Sequence, residues 1–340
     1  MANSIRDVAS RAQVAVGTVS NFLNRPDRVA EATRKKIESA IADLNFVPNA
    51  SARHLRSGSS RTIGLLVPDI TNPFFTEVAR GAGDTASEND YTLLLCNSDE
   101  DPKKEERHLK VLIEQRICGL LITPSFEGLA GVAELNRRNI PTTFIDRKAE
   151  SLEQSSVSMD DFHGGKSAIK YLASLGHTSI AWVNGPLSIA QCSSREDGVM
   201  DSAKELKIKI NKFQVSQMRS QNGYEVAREI LESTSQVTAI FCANDLVALG
   251  VLRALLENGK KIPNDYALIG YDDIGFSASA SIPLTSIAQP AYKLGALAAQ
   301  MIINEVENGK NFKHEQIVFK PELVIRASTQ ASAATQVARK

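Results

Sequence analysis

The chain has 340 residues, 43% of them hydrophobic and 23% charged, with a formal net charge of zero. That length exceeds one typical domain, and a division into about 60 plus 280 residues fits it. No apolar run (Leu93 to Cys96 is typical) approaches the roughly 20 residues that cross a bilayer, and the opening MANSIRDVAS lacks the apolar stretch of a secretory signal, so a globular cytoplasmic protein with no membrane partner is expected.

The neutrality hides an asymmetry. Residues 1–61 hold ten Lys and Arg against five Asp and Glu, so the head has a surplus of five positive charges and the remainder an equal negative one. A basic head on an acidic body suits a protein whose head meets phosphates, although solvated helical heads are also often basic. Cys96, Cys118, Cys192 and Cys242 are scattered without metal or redox spacing and read as buried thiols in a reducing compartment.

Ile5, Val8, Ala9 and Ala12 recur at i, i+3, i+4 and i+7 and predict a short first helix. Gln13-Val14-Ala15 interrupts it. A second helix is predicted from about Val16 to Asn24, with Val19, Phe22 and Leu23 inward. Arg25-Pro26-Asp27 ends it, because proline cannot continue a helix and restricts the residue before it. A third helix runs from about Glu31 to Leu44, with Ile37, Ile41 and Leu44 on one face. Three short helices with a tight turn between the first two describe a helix-turn-helix domain. Periodicity alone also fits a plain three-helix bundle.

The residues themselves separate the two. IRDVASRAQVAVGTVSNFLN, followed by TRKKIESAIADLNFVPNASARHLRSG, closely resembles the DNA-binding head of the LacI/GalR family. Asp7-Val8-Ala9, Ala12, Val14, Thr18-Val19-Ser20, Leu23-Asn24, Thr33-Arg34, Leu44, Pro48-Asn49 and Ala52-Arg53 match in order without a gap. Ala15 stands where the family usually has Ser, and Ala30 where a capping Ser is common; each removes one phosphate or capping hydrogen bond, not the fold. In such a head the N-terminal side chains of the second helix point into the major groove. Val16 either meets a thymine methyl or fills space, Gly17 offers no side chain, and Asn21 can hydrogen-bond a base edge. Thr18 and Ser20 resemble family phosphate contacts, which position the protein without carrying sequence information. The resemblance adds Ser4, Asn24, Arg28 and Thr33 to the DNA-contacting set.

Asn49 to Gly58 reads NASARHLRSG, with Asn49 a good N-cap and Gly58-Ser59-Ser60 a flexible release. A helix of two turns or fewer does not hold itself folded in water, which favours a segment that orders on DNA beside a partner chain. The resemblance implies that two such hinges, Asn49 and Ala52 included, pack in the minor groove, each pressing a leucine between central base pairs. Leu55 is the matching residue; the alternative is that it covers the body.

From Arg61 onward, apolar β-rich runs alternate with helical stretches. Strands are predicted at Thr62–Val67, Tyr91–Cys96, Gly119–Thr123, Thr142–Ile145, Ser179–Val183, Ala239–Cys242 and Ala267–Tyr271, with helices such as Lys103–Arg116 and Asp245–Asn258 between. Such alternation means doubly wound parallel sheets. The strands are too many for one compact sheet, so two subdomains flanking a cleft are expected, with a first crossover near Glu150–Asp161. Neither GxGxxG, GxxxxGK[ST] nor GxSxG occurs, and His54, His108, His163, His177 and His314 are dispersed. No enzyme, cofactor or metal site is therefore expected, and Gly164-Gly165 reads as helix-start packing rather than a phosphate loop.

IGLLVPDITNPFF, FIDR, SREDGV, TAIFCANDLVALGVL, ALIGYDDI, PLTSIAQP and KPELVIRAST resemble the family's effector domain and its periplasmic sugar-binding relatives. Mapped by motif, the resemblance implies a polyol held by Asn72, Phe74, Phe75, Asp146 and Arg147 from one subdomain. Arg195, Asn244, Tyr271, Asp272 and Gln289 would face them from the other. Asp161, where relatives carry Asn, is expected to alter cleft hydrogen bonding, whereas Ala327 in place of Gly need not matter. Asn244-Asp245 could instead only cap a helix, and Phe75 could be core. The expected fold is a small all-α helix-turn-helix head (1–48), a hinge and linker (49–60), an α/β periplasmic-binding-protein-like body of two parallel-sheet subdomains (61–329), and a disordered tail (330–340).

The expected function is that of a nucleoid-associated, homodimeric repressor of operator DNA. Its effector is a pentose such as ribose, a nucleoside or another sugar. The alternative is a catabolite-control type of regulator with a phosphorylated carrier protein as corepressor. Leu55→Ala should weaken operator binding strongly and reduce DNA bending, with effector affinity nearly unchanged, because apolar wedging is what kinks the duplex. Gel-shift and circular-permutation bending assays check this; equal bending by variant and parent would remove the leucine wedge.

Overall fold

The computed structural model describes residues 3–46, 60–124, 130–233 and 236–330. The chain divides into two compact units, 1–60 and 61–340. In the first unit, α1 (Ile5–Ala12), α2 (Val16–Asn24) and α3 (Glu31–Asp43) follow the predicted periodicity to within a residue. Val8, Ala9, Ala12, Val19, Val29, Ile37, Ala40 and Phe46 form their common core. Gln13 takes the left-handed conformation (φ 56°) that turns the chain sharply between α1 and α2. Asn49, Ala52 and Leu55, and with them the hinge reading, lie outside the described residues, as does the tail from 331.

The second unit is built on two six-stranded sheets. The first has strand order β11-β5-β4-β3-β1-β2 and the second β12-β10-β9-β8-β6-β7. Here β1 is Thr62–Val67, β2 Thr92–Asn97, β3 Gly119–Ile122, β4 Thr142–Ile145, β5 Ser155–Met159 and β6 Ser179–Asn184. The remaining strands are β7 (Lys209–Gln214), β8 (Ala239–Cys242), β9 (Ala267–Asp272), β10 (Thr285–Ala288), β11 (Gln316–Phe319) and β12 (Glu322–Val324). All pairings are parallel except β10 with β12. Central strands such as GLLI and AIFC are buried along their whole length, as expected for parallel strands covered by helices on both faces.

The helices of this unit are α4 (Pro73–Glu88), α5 (Pro102–Glu114), α6 (Ala130–Arg137), α7 (Asp161–Ser174) and α8 (Ala190–Leu206), followed by α9 (Ser220–Glu232), α10 (Asp245–Glu257), α11 (Gly275–Ser279) and α12 (Ala291–Asn308). The chain passes between the lobes three times: from β5 to α7, from β10 to α12, and from β11 to β12. The first passage falls at Asp160, inside the predicted interval. Five strands escaped the apolar reading. β5 (SSVSM) is fully buried yet three-fifths serine, β7 (KINKFQ) is a half-exposed edge strand, and β10 to β12 are short.

One close approach matters for the cleft. A Cβ on Gly165 of α7 would lie 2.2 Å from the Arg195 carbonyl, and one on Gly198 of α8 would lie 1.9 Å from the Phe162 carbonyl. The reciprocal glycines let the two helices meet backbone to backbone. In the head, by contrast, two of the three α-helix N-termini are under-served. Ala15 and Ala30 are the N-caps of α2 and α3, and neither offers a side-chain oxygen to the first turn. Ala30 already has cap-compatible torsions (φ −56°, ψ 142°), so Ala30→Ser should stabilise the head by about 1 kcal/mol. Calorimetry of the head transition in parent and variant checks this.

Candidate DNA-facing helix and ligand cleft

On α2 the exposed residues are Val16, Gly17 and Asn21, while Thr18 and Ser20 are half-buried and Val19 is fully buried. A Cβ on Gly17 would meet nothing within 4 Å. Val16 keeps 41% of its surface exposed at the start of a helix whose first turn carries no acid. Such an end presents unsatisfied N–H groups and a positive dipole to approaching phosphate. Arg28 is exposed in a single 3-10 turn, and Thr33 is half-buried in the first turn of α3. Ser4 caps α1; its hydroxyl and its backbone N–H both donate to Asp7 Oδ2, each at 2.7 Å. Asn24 closes α2, but its side chain lies outside the described part.

In the second unit a cavity opens between the lobes, lined on one side by Asn72, Phe74, Phe75, Glu100, Thr123 and Asp146. Ile189, Gln191, Arg195, Met218, Asn244 and Asp272 line the other. Most follow the carboxyl ends of strands, where open α/β sheets gather ligands. Asn72 and Asn244 do double duty. Asn72 Oδ1 accepts from Phe74 N (3.0 Å) to cap α4, and Asn244 Oδ1 accepts from Val247 N (2.9 Å) to cap α10. Phe74 and Phe75 pack edge to face, ring centres 5.0 Å apart, and belong to the first lobe's core as well as to the cavity wall.

Arg195 is 3% exposed. Its Nε donates to Asp161 Oδ1 at 2.8 Å and its Nη1 to the Ala243 carbonyl at 2.6 Å. The Tyr271 ring lies 3.6 Å from its guanidinium carbon, and the Tyr271 hydroxyl donates to the same Asp161 oxygen at 3.0 Å. Tyr271 is fully buried and is not on the cavity wall, so it supports Arg195 from behind. Gly164 makes room for it, since a Cβ there would lie 2.2 Å from the Tyr271 hydroxyl. Gln289 also stands behind the wall and donates to Asp272 Oδ1 at 2.7 Å. Arg147 borders a neighbouring pocket and pairs with Glu150 at 3.3 Å. Of the ten residues mapped by motif, seven line the cavity and Arg147, Tyr271 and Gln289 do not.

Sequence reasoning missed Glu100, Thr123, Ile189, Gln191 and Met218. Thr123 directly follows β3 and was recoverable from the strand-end rule. Gln191 was not, because nothing in Gly185-Pro186-Leu187 announces where α8 begins.

Several polar atoms in and behind the cavity wall lack partners. Asp146 Oδ1, Thr123 Oγ1 and Gln289 Oε1 are buried without a hydrogen bond. Burial, reinforced by Asp161, pushes the Asp146 carboxyl well above the ordinary range. Burial lifts Asp272 to about 6 against the pull of Arg195 and hydrogen bonds from Gln289 and Asn72. Beneath them Asp245, raised by burial to about 8, accepts from Ile274 N, Ser277 Oγ and Ser286 Oγ. The arrangement offers carboxylates to paired hydroxyls, a guanidinium to an oxygen, and phenyl faces to an apolar ring surface. Among the described residues no His, Cys, Asp or Glu cluster could hold a metal ion, and no helix is long and apolar enough to cross a membrane.

A helix-turn-helix head joined to a two-lobed binding body defines a ligand-responsive regulator. Residues 4–49 match the family described as bacterial regulatory proteins, lacI family, and residues 60–322 match periplasmic binding proteins and sugar binding domain of LacI family. The chain belongs to the LacI family, whose members here are regulators and not enzymes. It is 36% identical to the HTH-type transcriptional repressor PurR of Vibrio parahaemolyticus over 95% of this chain and 97% of that one. The lac repressor dimer bound to operator and the anti-inducer ONPF superposes with a TM-score of 0.86 at 25% identity, covering 97% of this chain and 100% of that one. A LacI family transcriptional regulator from Enterococcus faecium with bound ribose gives 0.73 at 33% identity, covering 79% and 98%.

The raised Asp272 carries a stability consequence. An acid lifted from 3.8 to about 6 on folding contributes stability below 3.8 that is lost as pH rises through about 6. Asp272→Asn cannot ionise and escapes that loss. Its stability relative to the parent should therefore rise by roughly 3 kcal/mol across this window, as urea unfolding from about pH 3 to 7 would record.

Proposed function

We propose that the protein is a transcription repressor that grips a near-palindromic operator as a homodimer and is controlled by a small uncharged polyol, a pentose or a nucleoside, in the inter-lobe cleft. One observation carries this reading: hydrogen-bonding atoms buried without partners, Asp146 Oδ1 and Thr123 Oγ1, belong to first-lobe residues lining the same cavity as Arg195 and Asp272. Buried polar atoms without partners are costly, and a polyol would satisfy several at once while its ring meets Phe74 or Phe75. The ribose held by the Enterococcus faecium regulator supports the pentose. The lac repressor's operator-bound dimer supports the two-fold DNA complex, and the exposed Val16, Gly17 and Asn21 supply its reading edge.

Calorimetric titration with ribose, other pentoses, nucleosides and hexoses tests the ligand; the phosphorylated carrier protein is the comparison for the catabolite-control alternative. Asp272→Ala and Arg195→Ala should each lower the affinity of the sugar that binds about tenfold to hundredfold, the loss of one charge-assisted hydrogen bond. Both variants should still bind operator, without a ligand response. A sugar that binds both variants as well as the parent would remove the cleft assignment.

A further inference from the structure

Arg195 is the one cation among the described residues that line this inter-lobe cavity, whereas Glu100, Asp146 and Asp272 line it with acidic groups whose ionisation burial opposes. Its positive charge is already answered, since Asp161 sits behind it in a buried ion pair at 2.8 Å. A guanidinium fork with its charge free is a natural phosphate binder. With a carboxylate on Nε it offers hydrogen bonds without a net charge. The helix ends say the same independently. The α4 and α10 N-termini open on this cavity, and the Asn72 and Asn244 side chains each occupy a first-turn N–H that would otherwise attract an anion.

We propose that Asp161 sets the charge selectivity of the cleft: by cancelling Arg195, it makes the site accept uncharged polyols and reject their phosphorylated counterparts. The inference rests on the effector reading of this cleft. It assigns Asp161 a positioning and selecting role in which it need not touch the ligand. An anionic ligand would find no unmatched cation here, and Asp272, lifted only to about 6, would oppose it at neutral pH.

Asp161→Asn removes the charge at nearly constant size, and its Oδ1 can still accept from Arg195 and Tyr271. Glu100→Gln removes a second cleft charge without touching the ion pair, and serves if Asp161→Asn fails to fold. Tyr271→Phe keeps both the ring and the Asp161 charge. The full-length proteins are titrated with D-ribose against D-ribose 5-phosphate and adenosine against adenosine monophosphate, and melted with and without inorganic phosphate. The parent should bind a neutral member and neither phosphorylated one, and phosphate should not protect it. Asp161→Asn should move the affinity ratio at least about tenfold toward the phosphorylated member and gain protection by phosphate. Glu100→Gln should move the ratio in the same direction, and Tyr271→Phe should leave it within about twofold.

A parent that prefers the phosphorylated member, or a ratio unmoved in the folded charge variants, overturns the proposal. If no neutral compound binds the parent, the pentose reading fails and phosphate protection alone decides the matter. Protection of a charge variant but not of the parent supports charge selectivity; protection of both or of neither overturns it.

Discussion

The guanidinium of Arg195, pressed at 3.6 Å against Tyr271 and held at 2.8 Å by Asp161, is the contact around which the second lobe's side of the cleft is arranged. A buried charge without a partner is strongly destabilising, and a paired one must still have its remaining hydrogens satisfied. The pairing, and a carbonyl partner for Nη1, are supplied by geometry that begins far from the charge. Gly165 and Gly198 bring α7 and α8 to backbone contact, so that Asp161 on one helix reaches Arg195 on the other. Gly164 clears the volume that the Tyr271 hydroxyl occupies, and the carboxyl end of β8 supplies the Ala243 carbonyl. The Gly164-Gly165 pair therefore serves packing, one glycine against Tyr271 and the other against the Arg195 backbone.

Much of this was legible in the sequence, for reasons that differ by element. The head helices declared themselves because their apolar residues recur at 3.6-residue spacing and their ends carry turn chemistry. The central strands did so because parallel strands buried on both faces are continuous apolar runs. β5 stayed hidden because its burial is carried by serines, which no hydropathy pattern marks. The cleft was legible to the extent that strand ends gather ligands, which locates Asn72, Asp146, Asn244 and Asp272. It was not legible where a residue's direction decides its role. Tyr271 and Asp272 are neighbours on β9, and alternation sends one behind Arg195 and the other to the cavity wall. Arg147 beside Asp146 divides in the same way. Motif adjacency named both members of each pair, and only side-chain direction could part them.

The two lobes already touch across the cleft through polar contacts. Gln191 of α8 donates to the Asp146 carbonyl at 2.6 Å and to its carboxylate at 3.0 Å, Arg219 reaches Asp69 at 3.3 Å, and Asn72 bonds Asp272. Each contact joins a first-lobe residue to a second-lobe residue, and beside them Ile274, with Leu246 and Leu249, packs on the first lobe's apolar core. A ligand that supplies further bonds to Asp146, Asp272 and Arg195 adds to this set only when the lobes stand at the right separation. Its leverage on the lobe arrangement is its difference in affinity between the two separations, and no more. The buried atoms that lack partners concentrate that difference, because they gain a full hydrogen bond when a ligand bridges them and remain unsatisfied when it does not. A cleft whose acceptors were already paired within the protein could bind sugar equally well in both arrangements, and its binding would then carry no signal to the DNA.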